Sequence, residues 1–232
     1  MSDTAPEGTL AIADRQESGR GRRGRSWESP SGYGVYMSLL LKPEISPSDA
    51  PMITLVMALA VANAVRETTG LDARIKWPND IVAGGRKICG ILTEMDMESD
   101  YIRDIIVGVG INVNQPDEKC FPEEIADTAT SLRIMSGNVV MRSVLAAEIM
   151  NEFERLSDIF FEARDLSKLR DRYEELLAGI GSEVRVLDPA GEYTGISRGI
   201  NDRGELLVET SDGNIREIYA GEVSVRGIYG YV

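Results

Sequence analysis

Four arginines, Arg20, Arg22, Arg23 and Arg25, crowd into one short stretch, interleaved with Gly19, Gly21 and Gly24 and followed by Trp27. Glycines let backbone N–H groups come close to an oxyanion, and guanidinium forks bind carboxylate or phosphate through two parallel hydrogen bonds. The stretch reads as an anion clamp, with Trp27 placed to stack on a base. The plain alternative is a flexible, solvated turn. A second set is Lys76-Trp77-Pro78-Asn79-Asp80, followed by Lys87. It offers cations, an amide and a carboxylate beside a proline-stiffened turn; taken alone it reads equally well as a surface turn. The third, Gly108-Val-Gly110-Ile-Asn112-Val-Asn114, is a strand ending in glycine and asparagine and says little by itself. Together the three suit a reaction whose substrate brings its own nucleophile. Activation of a carboxylate by ATP is such a reaction: both partners are anionic, and the catalyst's main task is to neutralise their repulsion and the charge that develops.

Composition excludes much else. The chain of 232 residues has no histidine, which removes Ser-His-Asp and Cys-His catalysis, HExxH zinc sites and imidazole acid–base chemistry. Its net charge of −13 and pI near 4.6 argue against a general nucleic-acid binder, so the arginine cluster reads as a site and not as a sticky patch. Gly19 to Gly24 spells GxGxxG, but the residues after it, Arg25-Ser-Trp-Glu-Ser-Pro30, cannot open the helix that a dinucleotide site requires. Gly195-Ile-Ser197-Arg-Gly199 spells GxSxG without any histidine to serve as base. Cys89, in an apolar run, reads as a core residue, and it and Cys120 form no disulfide framework. No signal peptide is visible, and the apolar run Met52–Val65 is shorter than the roughly 20 residues a bilayer needs. The expectation is a cytoplasmic protein with no membrane and no nucleic-acid partner.

Apolar periodicity supplies the elements that must position these groups. Strands are predicted at Leu10–Arg15, Tyr33–Leu41, Arg74–Trp77 and Tyr101–Val113, with a hairpin of Asp80–Val82 and Lys87–Met95 around Gly84-Gly85. A helix over Met52–Thr69 is capped by Ser48 and Asp49 and stopped by Gly70, and amphipathic helices are predicted at Met141–Ala163 and Leu166–Ala178. The arginine-glycine stretch is expected to be a loop without local partners for its charges. After Gly179, five short strands alternate with Asp-Pro-Ala-Gly, Asn-Asp-Arg-Gly and Ser-Asp-Gly turns, the pattern of a small β-barrel.

GRGRRGRSWESP, KWPNDI, GRKICGILTE, GVGINVN and FPEE…ATSL stand in the order and spacing of the biotin protein ligase family, and GISRGINDRGELLVE resembles that family's C-terminal barrel. The resemblance runs from about Leu10 to Arg226. It implies an α+β fold, with a mixed sheet and helices of the class II aminoacyl-tRNA synthetase and biotin synthetase-like kind over residues 1–180, and an SH3-like β-barrel over 181–232. The implied activity is formation of biotinyl-5′-AMP from biotin and ATP with Mg²⁺, then transfer of biotin to one lysine of a biotin carboxyl carrier protein. A homodimer formed by edge-strand pairing is also implied.

The resemblance assigns Gln16 and the backbone of Arg20 and Gly21 to the biotin pocket, with Gly19, Arg25 and Gly90 also against the ligands. It gives Arg22 and Lys87 to the biotin carboxylate and α-phosphate, and Trp27 to adenine. Lys76, Asn79 and Asn112 go to phosphate, metal or adenosine, while Asp80 orients and deprotonates the acceptor lysine. No residue is assigned as a metal ligand. Two departures are noted: no helix-turn-helix domain precedes the catalytic part, the ligase-only pattern, and the family's Ser-Thr-Asn segment upstream of the first loop is not found, so weaker biotin binding is expected. The other readings are a lipoate ligase of the same fold, and a nucleic-acid or peptide-binding module that uses the arginine loop.

Overall fold

The computed structural model describes residues 4–24, 26–188, 191–219, 224–227 and 231–232. Its frame is a six-stranded sheet. Across it run β1 (Leu10–Ala13), β4 (Gly34–Leu41), β8 (Tyr101–Asn112), β7 (Arg86–Glu98), β6 (Asp80–Ala83) and β5 (Ala73–Lys76), each antiparallel to its neighbour. Isolated parallel bridges, Ile75 to Leu177 and Lys87 to Ala129, tie later segments to it. Period-two patterning gives the sheet two different faces. Ile105, Val107, Val109 and Ile111 of β8 are buried in the core, while Ile106, Gly108 and Gly110 between them line an open cavity.

Helix α1 (Ala50–Thr69) packs on β5, β6 and β7 and on α3 (Arg142–Ala163), which buries Leu145, Ile149, Phe153, Leu156 and Phe160. Covered on both sides, α1 is apolar nearly all round. By length and composition it could cross a membrane, but 72% of its apolar window is buried inside the fold, so that character is accounted for by the core. Gly70 stops α1 in the left-handed conformation (φ 70°), as its position in the sequence suggests. Asp49 takes the N-cap position without a capping bond from its side chain; it meets Arg203 at 3.2 Å instead.

The arginine-glycine stretch departs from expectation. It is a hairpin of β2 (Gln16–Arg20) and β3 (Ser26–Ser29) joined through a 3-10 turn at Arg22–Gly24. Gly19 permits this pairing: a Cβ there would lie 2.2 Å from the carbonyl oxygen of Trp27. Arg25 lies outside the described residues. The helix expected over Leu166–Ala178 is reduced to α4 (Arg170–Leu176), because the N–H of Leu166 bonds to Asp202 and that of Ala178 to Ile75. The short α2 (Leu132–Ser136) follows the loop after β8, and its N-cap is the hydroxyl of Ser131.

The second sheet orders β12 (Ile215–Ile218), β11 (Leu206–Glu209), β10 (Tyr193–Ile200), β9 (Glu183–Leu187) and β13 (Ser224–Gly227), again antiparallel. Polar ties lock it to the first part, two of them from buried or half-buried groups. The indole N–H of buried Trp77 donates to the Gly204 carbonyl at 3.0 Å, and the Ile200 N–H to the Glu174 carboxylate at 2.9 Å.

At the far edge of the first sheet, Asp14 accepts hydrogen bonds from the Ser31 hydroxyl, from Arg142 at 2.6 Å and from the Gly32 N–H at 3.2 Å. These bonds, that of Ser31 first, hold its carboxyl at about 2 against an ordinary 3.8. A depressed carboxylate stabilises the fold above its ordinary value, and that contribution disappears as pH falls through the folded value. Asp14→Asn should therefore flatten the pH dependence of the melting temperature between about pH 4 and pH 2, and leave the dependence above that window unchanged. Burial pushes the Cys89 thiol far up, whereas Cys120 is half-buried. A thiol reagent on the native protein should label Cys120 and reach Cys89 only on unfolding, as read by peptide mass spectrometry.

Candidate functional site

The cavity on the sheet's open face has a floor made by missing side chains. Gly90 of β7 is the register partner of Gly110 of β8, and Gly108 is paired with Leu92. The indole of Trp27 rests on this floor: a Cβ on Gly110 would lie 3.1 Å from its Nε1, and one on Gly90 3.6 Å from its ring. That buried indole N–H, pressed on the floor, has no hydrogen-bond partner among the described residues. The space, about 220 Å³, is lined by Gln16, Arg20, Gly21, Arg22, Lys87 and the glycines, among others. It adjoins a second space of about 330 Å³ under Pro47, Pro51, Pro78 and Met95, and both touch Arg22, Asn79, Ile91 and Leu92.

Each cation at the site is steadied from a separate element. Arg22, in the hairpin turn, donates to Asn79 Oδ1 at 2.8 Å. Asn79 is itself pinned to β7: its side chain donates to the Ile91 carbonyl at 3.1 Å and its carbonyl accepts the Ile91 N–H at 2.8 Å. Lys87 is fixed at its backbone by Thr128 and by Thr130 of the ATSL segment, at 2.7 and 2.9 Å. Its ammonium meets Asp80 Oδ1 at 2.6 Å and lies 5.1 Å from the centre of the Trp27 ring. Lys76 sits 3.2 Å above the ring centre of Tyr231, whose hydroxyl donates to the other oxygen of Asp80. The Trp77–Pro78 bond between Lys76 and Asn79 is cis. Arg20, more exposed, pairs with Glu94 at 2.8 Å. The expectation that these arginines lack local partners is corrected for Arg20 and Arg22: the partners come from β7 and from the turn before β6.

The structure thus gathers Gln16, Arg20, Gly21, Arg22, Trp27, Asn79, Lys87 and Gly90 around one cavity, with Asp80 bonded to Lys87 and Lys76 linked to Asp80 through Tyr231. Gly19 acts in the hairpin. Asn112 is buried at the end of β8, where it accepts a bond from Gln115 at 3.3 Å, and it does not line either space. Sequence reasoning passes over Gly108 and Gly110 as site residues, although glycine at alternate positions of an apolar strand signals a close approach on one face. Tyr231 carries no such signal. The cluster Glu67, Glu148 and Glu152 lies on α1 and α3, away from the cavity lining, with Glu152 bonded by Asn63 and Arg155.

Residues 1–112 match the model of the biotin/lipoate A/B protein ligase family, and residues 179–226 that of the biotin protein ligase C-terminal domain. Bifunctional ligase/repressor BirA of Bacillus subtilis is 41% identical over 97% of this chain and 68% of its own length. Biotin–[acetyl-CoA-carboxylase] ligase of Mycobacterium tuberculosis is 32% identical over 94% of this chain and 79% of its own. The structure of the Aquifex aeolicus biotin protein ligase, in complex with biotin and ATP, superposes with a TM-score of 0.83 at 35% identity, covering 97% of this chain and 91% of that one. With the glycine floor, the clustered cations and the second sheet all in place, the chain belongs to the biotin protein ligase family.

Proposed function

We propose that the chain joins biotin to ATP as biotinyl-5′-AMP and passes the biotinyl group to one lysine of a biotin carboxyl carrier protein. The observation that carries this reading is the convergence of Arg22, Lys87 and Trp27 on a glycine-floored cavity, in a fold similar to that of a ligase solved with biotin and ATP.

In the first half-reaction a biotin carboxylate oxygen attacks the α-phosphorus, and the bond to pyrophosphate breaks. The attacking and attacked groups are both anionic, so the work is charge neutralisation. Arg22 bridges carboxylate and α-phosphate. Lys87 leaves Asp80 Oδ1 for the same oxygens, a short swing because its backbone is already fixed. Lys76 and Asn79 serve the phosphates and adenosine, and Trp27 lies against the ligand. In the second half-reaction the acceptor amine attacks the acyl carbon and AMP departs with the C–O bond electrons. Asp80, released by Lys87, receives the acceptor ammonium and takes its proton. The two steps are then coupled by one exchange of partners at Lys87.

Mg²⁺ enters as the ATP complex. The carboxylates nearest the cavity, Asp80 and Glu94, are already paired with Lys87 and Arg20, which is a poor donor set for a resident metal. The catalytic unit spans 1–180 and the small barrel 181–232, and self-association through an edge strand is the assembly this reading expects. Biotin-dependent exchange of labelled pyrophosphate into ATP tests the activity, with lipoate as the control substrate; a binding module gives no exchange. Arg22→Ala or Lys87→Ala should lower exchange by about 10²-fold or more, the scale for one preorganised charge-stabilising donor. Asp80→Ala should impair transfer to the carrier more than exchange, and equal loss in both would remove Asp80 from its assigned role.

A further inference from the structure

Tyr231 lies 151 residues from Asp80 in the chain, yet its hydroxyl donates to Asp80 Oδ2 while its ring lies under the Lys76 ammonium at 3.2 Å. Beside it, Val232 packs against β13. A Cβ on Gly227 would lie 2.2 Å from the Val232 carbonyl oxygen, so a glycine is needed for the two segments to meet. Val232 also borders a small cavity with Leu177, Val184, Leu206 and Val225, at the seam between the two sheets. The phenol is thus delivered to the proposed site by the second sheet.

We propose that Tyr231 is a positioning residue for the transfer half-reaction, holding the Asp80 carboxylate in the plane from which it receives the acceptor lysine. The proposal rests on the role given above to Asp80. Among the described residues, the partners of that carboxylate are Lys87 on one oxygen and Tyr231 on the other. A carboxylate with two fixed donors has a set plane; with one it pivots about that contact. When the adenylate draws Lys87 away, the Tyr231 hydroxyl is the anchor left, and the oxygen vacated by Lys87 faces the acceptor amine. The same ring steadies Lys76 through its π face, so loss of the hydroxyl and loss of the ring have separable consequences.

The test measures two rates on the full chain: pyrophosphate exchange with biotin and ATP, and single-turnover transfer from preformed biotinyl-5′-AMP to a biotin carboxyl carrier domain. Tyr231→Phe keeps the ring over Lys76 and removes the donor. It should slow transfer about tenfold, the scale of one hydrogen bond to a charged group, while exchange and the melting temperature change little. Tyr231→Ala should slow exchange as well. Gly227→Ala, which displaces Val232, should reproduce the transfer defect. In an Asp80→Asn background Tyr231→Phe should add almost nothing, because the tyrosine acts through that carboxylate. Normal transfer by Asp80→Asn would overturn the role of Asp80 itself. Slow transfer by Asp80→Asn with normal transfer by Tyr231→Phe would overturn the proposal for Tyr231 alone, and so would a Tyr231→Phe defect equal in both half-reactions.

Discussion

The site depends on keeping several cations close together before any anion arrives. Two unit charges about 4 Å apart in a medium of effective dielectric near 20 repel by roughly 4 kcal/mol, a large fraction of the stability of an ordinary domain. Such a cluster needs partners in the empty protein, but a permanent, fully buried ion pair would hold the cation back from its substrate. The structure meets both demands with exchangeable partners: an amide oxygen for Arg22, one oxygen of a shared carboxylate for Lys87, an aromatic face for Lys76 and an exposed carboxylate for Arg20. In the reaction proposed above, the incoming carboxylate and phosphate take over these contacts, and the charge-stabilising groups are in place at the moment of reaction without reorganising the backbone.

That arrangement rests on the sheet. Asn79 and Lys87 are held by backbone bonds to β7 and to the Thr128–Thr130 segment, so the cations' partners move only if the strands move. The alternation of β8 supplies two things at once. One parity, Ile105 to Ile111, is buried in the core; the other, Ile106 to Gly110, opens the floor for a flat group. A one-residue slip of β8 would exchange the faces and destroy both core and cavity. Fold stability and site geometry therefore share one register.

Much of this was legible in the sequence. The alternation over residues 33–41 and the β-branched run of β8 marked the central strands, and Gly84-Gly85, both at positive φ, marked the hairpin that carries Asp80 and Lys87 on adjacent strands. The arginine cluster and the Lys76–Asp80 segment with Lys87 stood out by residue type as suited to anion handling, while the separate roles given to Arg22, Asn79, Asp80 and Lys87 came from the family resemblance. The β2–β3 hairpin was hidden: arginine and glycine in alternation carry no apolar period, and the pairing follows from the space Gly19 leaves for the Trp27 carbonyl. The shortening of α4 was hidden too, since its amphipathic pattern continues past the point where Ala178 is captured by Ile75. Tyr231 had no local signal because its meaning is entirely tertiary.

The hidden contacts share a place in the fold. Trp77, within the KWPND segment, donates to the carbonyl of Gly204 in the turn between β10 and β11, and Tyr231, whose neighbour Val232 lies against β13, donates to Asp80, three residues from Trp77. The segment carrying Lys76, Asn79 and Asp80 is thus bonded on both flanks to residues that adjoin the second sheet, while Asn79 remains fixed to β7. A turn held from two sheets can keep three functional side chains in one geometry although its own sequence is too short to form a stable element. The second sheet is therefore part of the scaffold of the candidate site, and on the proposed function changes at its strand ends would reach the chemistry through Trp77 and Tyr231, without touching any ligand.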